Sequence, residues 1–385
     1  MFSQSELEAI PEKIRVIFKT LENKVFDDIC RRISDTDSIT RTADYQIQRL
    51  NQLKLTYPKE LKKMIQEALE LSDEEIDELY SDVIKQGYVR DKDLYVKTNT
   101  LWIPYEDNEP LLQLVDSIKE QTKETFSNYS NTLGIITDDN KAEELTEYFR
   151  NKIDTAITEI GTGVFDYNTS MRSVVNELTN SGIRVVDYET GWHNRIDVAT
   201  RRAVMTGLNQ ITNHISEQNA KKLKTDYYEV SYHGTARPEH QVWQGRVYSK
   251  DELVSVCGLG EPLGLLGINC YHHYDAFVKG VSERRYSDEW LDEQNAKANE
   301  LREYNGRKYT LYDATQRQRQ LETRIRACNQ KIQLLKSYET DGKELLIAQI
   351  RYNRLASEYN EFSNKMNLPV QTERLRQDNL LSYGN

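Results

Sequence analysis

The sequence predicts a mainly α-helical protein with a small α+β domain: an N-terminal helical region, a central glycine-rich α+β domain and a C-terminal antiparallel helical hairpin. Three observations carry this reading. Apolar residues recur at spacings of three and four over most of the chain. Seven of the 17 glycines lie between Gly234 and Gly280, where helical rhythm gives way to strand-like alternation. The C-terminal region holds two heptad-like stripes separated by a turn.

The elements follow in chain order. Pro11 suits the first turn of a helix, and Ile14, Ile17, Leu21, Val25, Ile29 and Ile33 then form its apolar line. Cys30 beside that line reads as a packed apolar residue. In "LSDEEIDELYSDVIKQGY", Ser72 followed by Glu75 has the capping-box pattern, which predicts a helix starting there and ending at Gly87. Trp102, Pro104 and Pro110 mark a connector between Val89 and Pro110. Helices are expected from Leu111 to Tyr129 and from Ala142 to about Ile160, and "SGIRVVDYETGW" reads as a short strand or extended turn. From Trp192 to Leu223 one long amphipathic helix is expected, lined by Ile196, Ala199, Ala203, Leu208, Ile211 and Ile215. In that helix Ala203 and Gly207 would admit a neighbouring backbone. "DYYEVSYH" alternates as a strand should. The last hundred or so residues are expected to be helical. Leu321, Ile325, Cys328, Ile332, Leu335 and Tyr338 form one stripe. Leu345, Ala348, Tyr352, Leu355, Tyr359, Phe362 and Met366 form the other, after a turn at Thr340-Asp341-Gly342. Four regions result: residues 1–100 as an N-terminal helical region, 101–190 as connector and helices, 191–285 as the α+β domain, and 286–385 as the helical hairpin, with a coiled-coil pattern.

Composition narrows the function classes. A chain of 385 residues is long enough for two or three folded units. Charged residues make up 29% and mean hydropathy is −0.75, with no apolar run of membrane-spanning length and no signal-peptide pattern at the start. These features predict a protein without a membrane partner, made in the cytoplasm. Four cysteines do not make a disulfide framework in a chain this long. The net charge of −11 argues against nucleic-acid binding along the whole surface, and "KKLK" at 221–224 reads as a solvated helix end. Tyrosine is abundant, 24 against 8 phenylalanines, as expected of surfaces half-buried on a partner or of caps over small helical cores.

One stretch departs from its surroundings: "SYHGTARPEHQVWQGRVYSK", residues 231–250. Together with "CGLGEPLGLLGINCYHH" it holds four of the six histidines and two of the four cysteines. Imidazole nitrogen and thiolate sulfur suit zinc, so His233, His240, Cys257, Cys270 and His272 are the candidate metal ligands. The spacing matches no tight zinc finger. The competing reading is that the cysteines are small buried residues and the histidines brace the loops by hydrogen bonds. Catalysis is poorly supported: His233 and His240 are seven apart with Gly234 and Pro238 between them, which excludes an H-E-x-x-H helix. A Cys270–His240 nucleophile pair lacks the flanking glycines or helix start that would activate it.

The same residues resemble the phage minor capsid protein 2 family of tailed phages, itself similar to Mu F-type minor head proteins. The likeness rests on His233, Gly234, Ala236, Arg237, Pro238, His240, Trp243, Gln244, Gly245, Tyr248, Gly267, Asn269, Cys270 and His272. "IDVATRRAVMTGLNQ" and "TRTADYQIQRL" add to it. Where family members often carry a basic residue after the cysteine, this chain has Tyr271. The resemblance implies a structural role, in a virion head protein that associates with the portal protein at the DNA-entry vertex during assembly in the host cytoplasm. Contact with the major capsid protein or with further copies of the chain fits the same role, and contact with packaged DNA less well. It also marks Arg237, Trp243, Gln244, Gly245 and Asn269 as structural motif residues. The alternative is a metal-dependent enzyme carried in the head and delivered with the DNA.

Overall fold

The apolar repeat near the N-terminus folds as α1 (Glu12–Asp37). Ile14, Leu21, Val25, Ile29 and Ile33 are buried along it, Ile17 is half-buried, and Phe18 takes the adjacent buried position. Cys30 is fully buried beside the line, and burial pushes its thiol pKa well up. The structure, a computed structural model, describes residues 6, 9–37, 43–162, 164–338 and 342–375. Residues 40–42 of the "TRTADYQIQRL" segment, and Thr340 and Asp341 of the expected C-terminal turn, lie outside the described residues.

The helix expected to start at Ser72 does not start there. α2 (Ala43–Val89) runs through the position, with Pro58, Ser72 and Gly87 inside it. The buried Ser72 hydroxyl donates to the Leu69 carbonyl at 2.8 Å. A serine satisfied by back-bonding to its own helix imitates a cap in sequence without ending anything. The expected connector holds α3 (Lys92–Lys97) and a 3-10 turn at Tyr105–Asp107, and α4 (Glu109–Ser130) follows. Trp102 packs there against Tyr88 and Tyr95, with ring centroids at 4.4 and 4.9 Å.

Two further helices begin later than the sequence predicts, because short strands precede them. β1 (Leu133–Ile136), β2 (Ala142–Glu144), β3 (Arg184–Val186) and β4 (His193–Arg195) form an antiparallel sheet in the order β2-β1-β3-β4. The edge strands β2 and β4 are short, polar and only half-buried, so they carry no alternating pattern to read. α5 (Leu145–Thr162) and α6 (Tyr167–Ser181) lie within this part of the chain, and α7 (Ile196–Leu223) follows β4. A second sheet, β6-β5-β7, is built from β5 (Tyr227–Val230), β6 (Val247–Ser249) and β7 (Tyr274–Phe277), all antiparallel.

The chain groups into two compact units. One comprises Met1–Lys13, Asp73–Thr125 and Arg201–Gln316; the other comprises Ile14–Ser72, Phe126–Thr200 and Arg317–Asn385. The first contains the β6-β5-β7 sheet, the short helices α8 (Pro238–Gln241) and α9 (Lys250–Ser255), and α10 (Asp288–Asn299). It also contains a hairpin of β8 (Arg302–Tyr304) and β9 (Arg307–Tyr309), where the sequence predicts helix. The hairpin turns at Asn305 and Gly306, both at positive φ (50° and 74°), the conformation that an Asn-Gly pair tolerates best. The second unit contains the four-stranded sheet and, from Arg317 onward, the helical hairpin of α11 (Leu311–Tyr338) and α12 (Lys343–Met366), with α13 (Thr372–Leu375) after it. The two hairpin arms run antiparallel. Cys328 Sγ reaches the Ala348 carbonyl at 3.3 Å, Gln318 donates to Ser363 at 2.9 Å, and Arg317 pairs with Glu358 at 2.7 Å. Leu321, Ile325 and Leu335 are fully buried, as are Tyr359, Phe362 and Met366 opposite them in the sequence pattern.

Tyrosine caps the helical cores. Tyr80, Tyr88, Tyr95, Tyr148, Tyr274 and Tyr359 are among the largest fully buried side chains. Their hydroxyls bond to polar groups distant in sequence: Tyr80 to the Val204 carbonyl at 2.9 Å, Tyr88 to the Ile103 carbonyl at 2.9 Å, and Tyr95 to Asn219 at 2.8 Å. Each ring supplies apolar area while its hydroxyl satisfies a buried acceptor. Gly207 on α7 is needed for one of these contacts. A Cβ there would overlap the Tyr80 hydroxyl and come within 3.0 Å of Ile118. Gly207→Ala is therefore expected to destabilise the protein by about 1–3 kcal/mol, despite alanine's better helix propensity, because the core must open to admit the methyl. Chemical denaturation of the variant measures it; an unchanged or higher midpoint would contradict the close approach.

Candidate metal centre

Strand pairing assembles the histidine and cysteine cluster. Val230 at the end of β5 pairs with Tyr274 at the start of β7. The register continues beyond the strands, where Ser231 N–H donates to the His273 carbonyl at 2.9 Å and His273 N–H to Ser231 Oγ at 3.1 Å. Residues 231–233 therefore lie beside 271–273. Between β5 and β6, Arg237 precedes α8, whose first residue is Pro238, and α8 carries His240 back towards the same place. The glycine-rich loop closes the other side. At Gly267 a Cβ would stand 2.5 Å from the Pro262 carbonyl and 2.7 Å from that of Glu261, so only glycine allows this fold of the loop.

Three side chains converge. His240, Cys270 and His272 place their ligand atoms within 4.8 Å of one another and are only 3, 4 and 2% exposed. His240 Nδ1 and His272 Nδ1 are 3.4 Å apart. Cys270 Sγ lies 3.5 Å from His272 Nδ1 and 3.9 Å from His240 Nδ1.

The outer nitrogens fix the tautomers. His240 Nε2 is 2.8 Å from the Leu263 carbonyl, which can only accept, so Nε2 carries the proton. His272 Nε2 is 3.0 Å from Gln244 Oε1. That oxygen also accepts the His233 backbone N–H at 2.9 Å, which sets the orientation of the amide, so His272 Nε2 must donate as well. Both Nδ1 atoms then present lone pairs to the same point. The Cys270 thiol has one proton and can satisfy only one of them, which leaves the other nitrogen lone pair without a donor inside the protein. A cation resolves that conflict.

The spacing fits a metal. A tetrahedral centre with metal–nitrogen bonds of about 2.0–2.1 Å and a metal–sulfur bond of about 2.3 Å sets nitrogens about 3.3 Å apart and nitrogen from sulfur about 3.6 Å apart. The three measured separations lie close to these values. The electrostatics agree. Burial, reinforced for His272 by the neighbouring histidines, lowers the pKa of His240 and His272, so both stay neutral and able to ligate. Burial raises Cys270, while the backbone amides of His272 and Leu266 pull it down. Amides directed at the sulfur favour a thiolate once a cation is bound. The group could hold a metal.

The remaining candidates are placed otherwise. Cys257 packs in an apolar core with Tyr228, Val230, Trp243, Leu253 and Leu265, where burial pushes its thiol pKa to about 12. His233 is not in the converging group. Its ring stands edge-on to His272 at 4.6 Å and its Nε2 meets Ser231 Oγ at 3.2 Å. Arg237 donates to the Ile268 carbonyl at 3.1 Å, across the mouth of the loop. Trp243 lies against the rings of both His240 and His272, at 4.6 and 4.8 Å. Gly245 adopts φ 70° next to Leu291 of α10, and Asn269, at φ 56°, meets Arg202 of α7 at 3.4 Å. Tyr271 lies beneath the Arg201 guanidinium at 5.2 Å. Sequence reasoning missed Leu263, whose carbonyl orients His240, and no sequence signal marks a backbone oxygen.

The model of the phage minor capsid protein 2 family matches residues 2–362. The chain belongs to that family. It is a phage minor capsid protein, a structural component of the virion. It is similar to a protein described as "Structural protein" in Lactococcus phage LL-H, with 25% identity over 232 residues, covering 57% of this chain and 61% of that protein. The match thus spans less than two thirds of the relative. No solved structure matches the chain. Among the described residues, no helix is long and apolar enough to cross a membrane.

Proposed function

We propose that this minor capsid protein is a non-enzymatic head component that docks on the portal protein at the DNA-entry vertex, and that His240, Cys270 and His272 hold a zinc ion that braces its central domain. The membership of residues 2–362 in a family of minor head proteins carries the first part of the reading. The second rests on the buried trio, in which Cys270 and His272 belong to a segment without regular structure and His240 to the short helix α8. Zinc suits the donor set because mixed nitrogen and thiolate ligands in a tetrahedron are its usual environment. In this reading the α11–α12 pair acts as a coiled-coil arm, available to a neighbouring head protein or to another copy of the chain.

Co-expression with the portal protein of the same phage, followed by size-exclusion chromatography with mass determination, tests the docking. A complex of fixed stoichiometry is expected. Separate elution of two folded proteins, at concentrations above those in an infected cell, would sink the portal assignment while leaving the family membership intact.

A further inference from the structure

The trio supplies three ligands, and a tetrahedral ion has four. Among the described residues the converging group contains no fourth histidine, cysteine or carboxylate. Cys257, the other cysteine of the glycine-rich segment, is committed to the apolar core, and His233, whose ring is 4.6 Å from that of His272, lies outside the converging group. The charge balance at the site is also incomplete. A divalent ion and one thiolate leave one positive charge, and Arg237, bonded to the Ile268 carbonyl at 3.1 Å two residues before Cys270, adds another, while the Glu239 carboxylate acts on His240 in the opposite sense. The three ligands are buried, yet residues bonded to the site or next to its ligands reach solvent. Leu263 and Ile268, whose carbonyls bond to His240 and Arg237, are 67 and 52% exposed, and Glu239 and Asn269, next to two of the ligands, are also exposed.

Building on the zinc reading above, we infer that the centre keeps an open fourth coordination position that takes a small anionic ligand from solvent. The protein ligands are His240 Nδ1, His272 Nδ1 and the Cys270 thiolate. On metal binding the Cys270 proton leaves to solvent. The fourth ligand exchanges without any change in oxidation state, one donor lone pair replacing another. A zinc ion with three protein ligands keeps an exchangeable fourth position, whereas four protein ligands close it. Arg237 then positions the entering anion through its charge and holds the loop through the Ile268 carbonyl.

The test uses the full chain with cobalt(II) in place of zinc and azide as the probe anion. Cobalt is expected to give a thiolate charge-transfer band that Cys270→Ser abolishes, and visible bands typical of tetrahedral coordination. Azide is expected to shift the visible bands saturably, and Arg237→Gln to weaken that titration by about tenfold, which is roughly 1.4 kcal/mol. A charge-transfer band with visible bands indifferent to azide would overturn the inference and leave the zinc site standing. If in that case His233→Gln altered the bands, the fourth ligand would be His233. Failure of the full chain to bind cobalt or zinc at all would remove the metal site itself.

Discussion

Cys270→Ser should lose its metal and much of the stability of the unit that contains β5, β6 and β7. In the wild-type chain, metal analysis is expected to find one zinc per molecule, and in the variant close to none. The structural penalty follows from what remains. With the cation gone, the Nδ1 lone pairs of His240 and His272 still face each other at 3.4 Å, held there by Leu263 and Gln244 on their far sides. Serine is smaller and a poorer ligand for zinc, so neither the ion nor a hydrogen bond fully replaces what is lost. Structural zinc is worth on the order of 10 kcal/mol of binding free energy in small domains. A larger unit retains some of its fold without the ion, so a loss of about 3 kcal/mol is the conservative expectation. For a unit of this size that lowers the melting temperature by roughly 6–12 °C. Chelation of the wild-type protein should give a similar shift, and chelation of the variant none. A variant that melts with the wild type and carries no less zinc would contradict the site. Cys257→Ser is the control: it should weaken the core around Trp243 and leave zinc content unchanged.

The two cysteines show where the sequence stops informing. Cys257 and Cys270 have the same residue type, similar glycine-rich surroundings and nearby histidines, so both qualify as ligands on sequence alone. Register separates them. Cys270 stands four residues before Tyr274, which β7 pairs with Val230, and so it is carried to the 231–233 edge. Cys257 comes two residues after α9 and turns into the core. The role of Gln244 was legible only as a motif position. That its oxygen accepts both a backbone N–H and an imidazole N–H depends on three segments meeting. The helices α1, α4, α7, α11 and α12 were readable because their apolar lines span several turns. Strands β2 and β4 were not, because three residues, two or all of them polar, give no period. Asn305-Gly306 did carry a hairpin signal, which the helical rhythm on either side obscured.

α1 conceals a feature that its polar residues make look solvated. Lys19, Glu22 and Asn23 are all buried, at 9, 1 and 5% exposure. Glu22 pairs with Lys19, accepts the Ile183 backbone N–H at 2.7 Å and Gln330 Nε2 at 3.3 Å, and has Arg195 at 3.7 Å. One carboxylate thus joins α1, the start of β3, β4 and α11 within the second unit. Burial alone would raise its pKa, but the charges of Lys19 and then Arg195 outweigh that and hold it below the ordinary glutamate value. Glu22→Ala would leave Lys19 buried without its counter-charge and the Ile183 amide without an acceptor, a loss of about 3–5 kcal/mol. The pH dependence has a definite sign. A carboxyl whose folded pKa lies below its unfolded one binds fewer protons when folded. Its contribution is therefore complete above the unfolded value of about 4.3 and falls away as pH drops through the folded one. Urea midpoints of the wild type should decline across that acid window more steeply than those of Glu22→Gln, which has no proton to take up. Equal slopes would mean that Glu22 titrates alike in both states and that the buried cluster is held by packing instead of by charge.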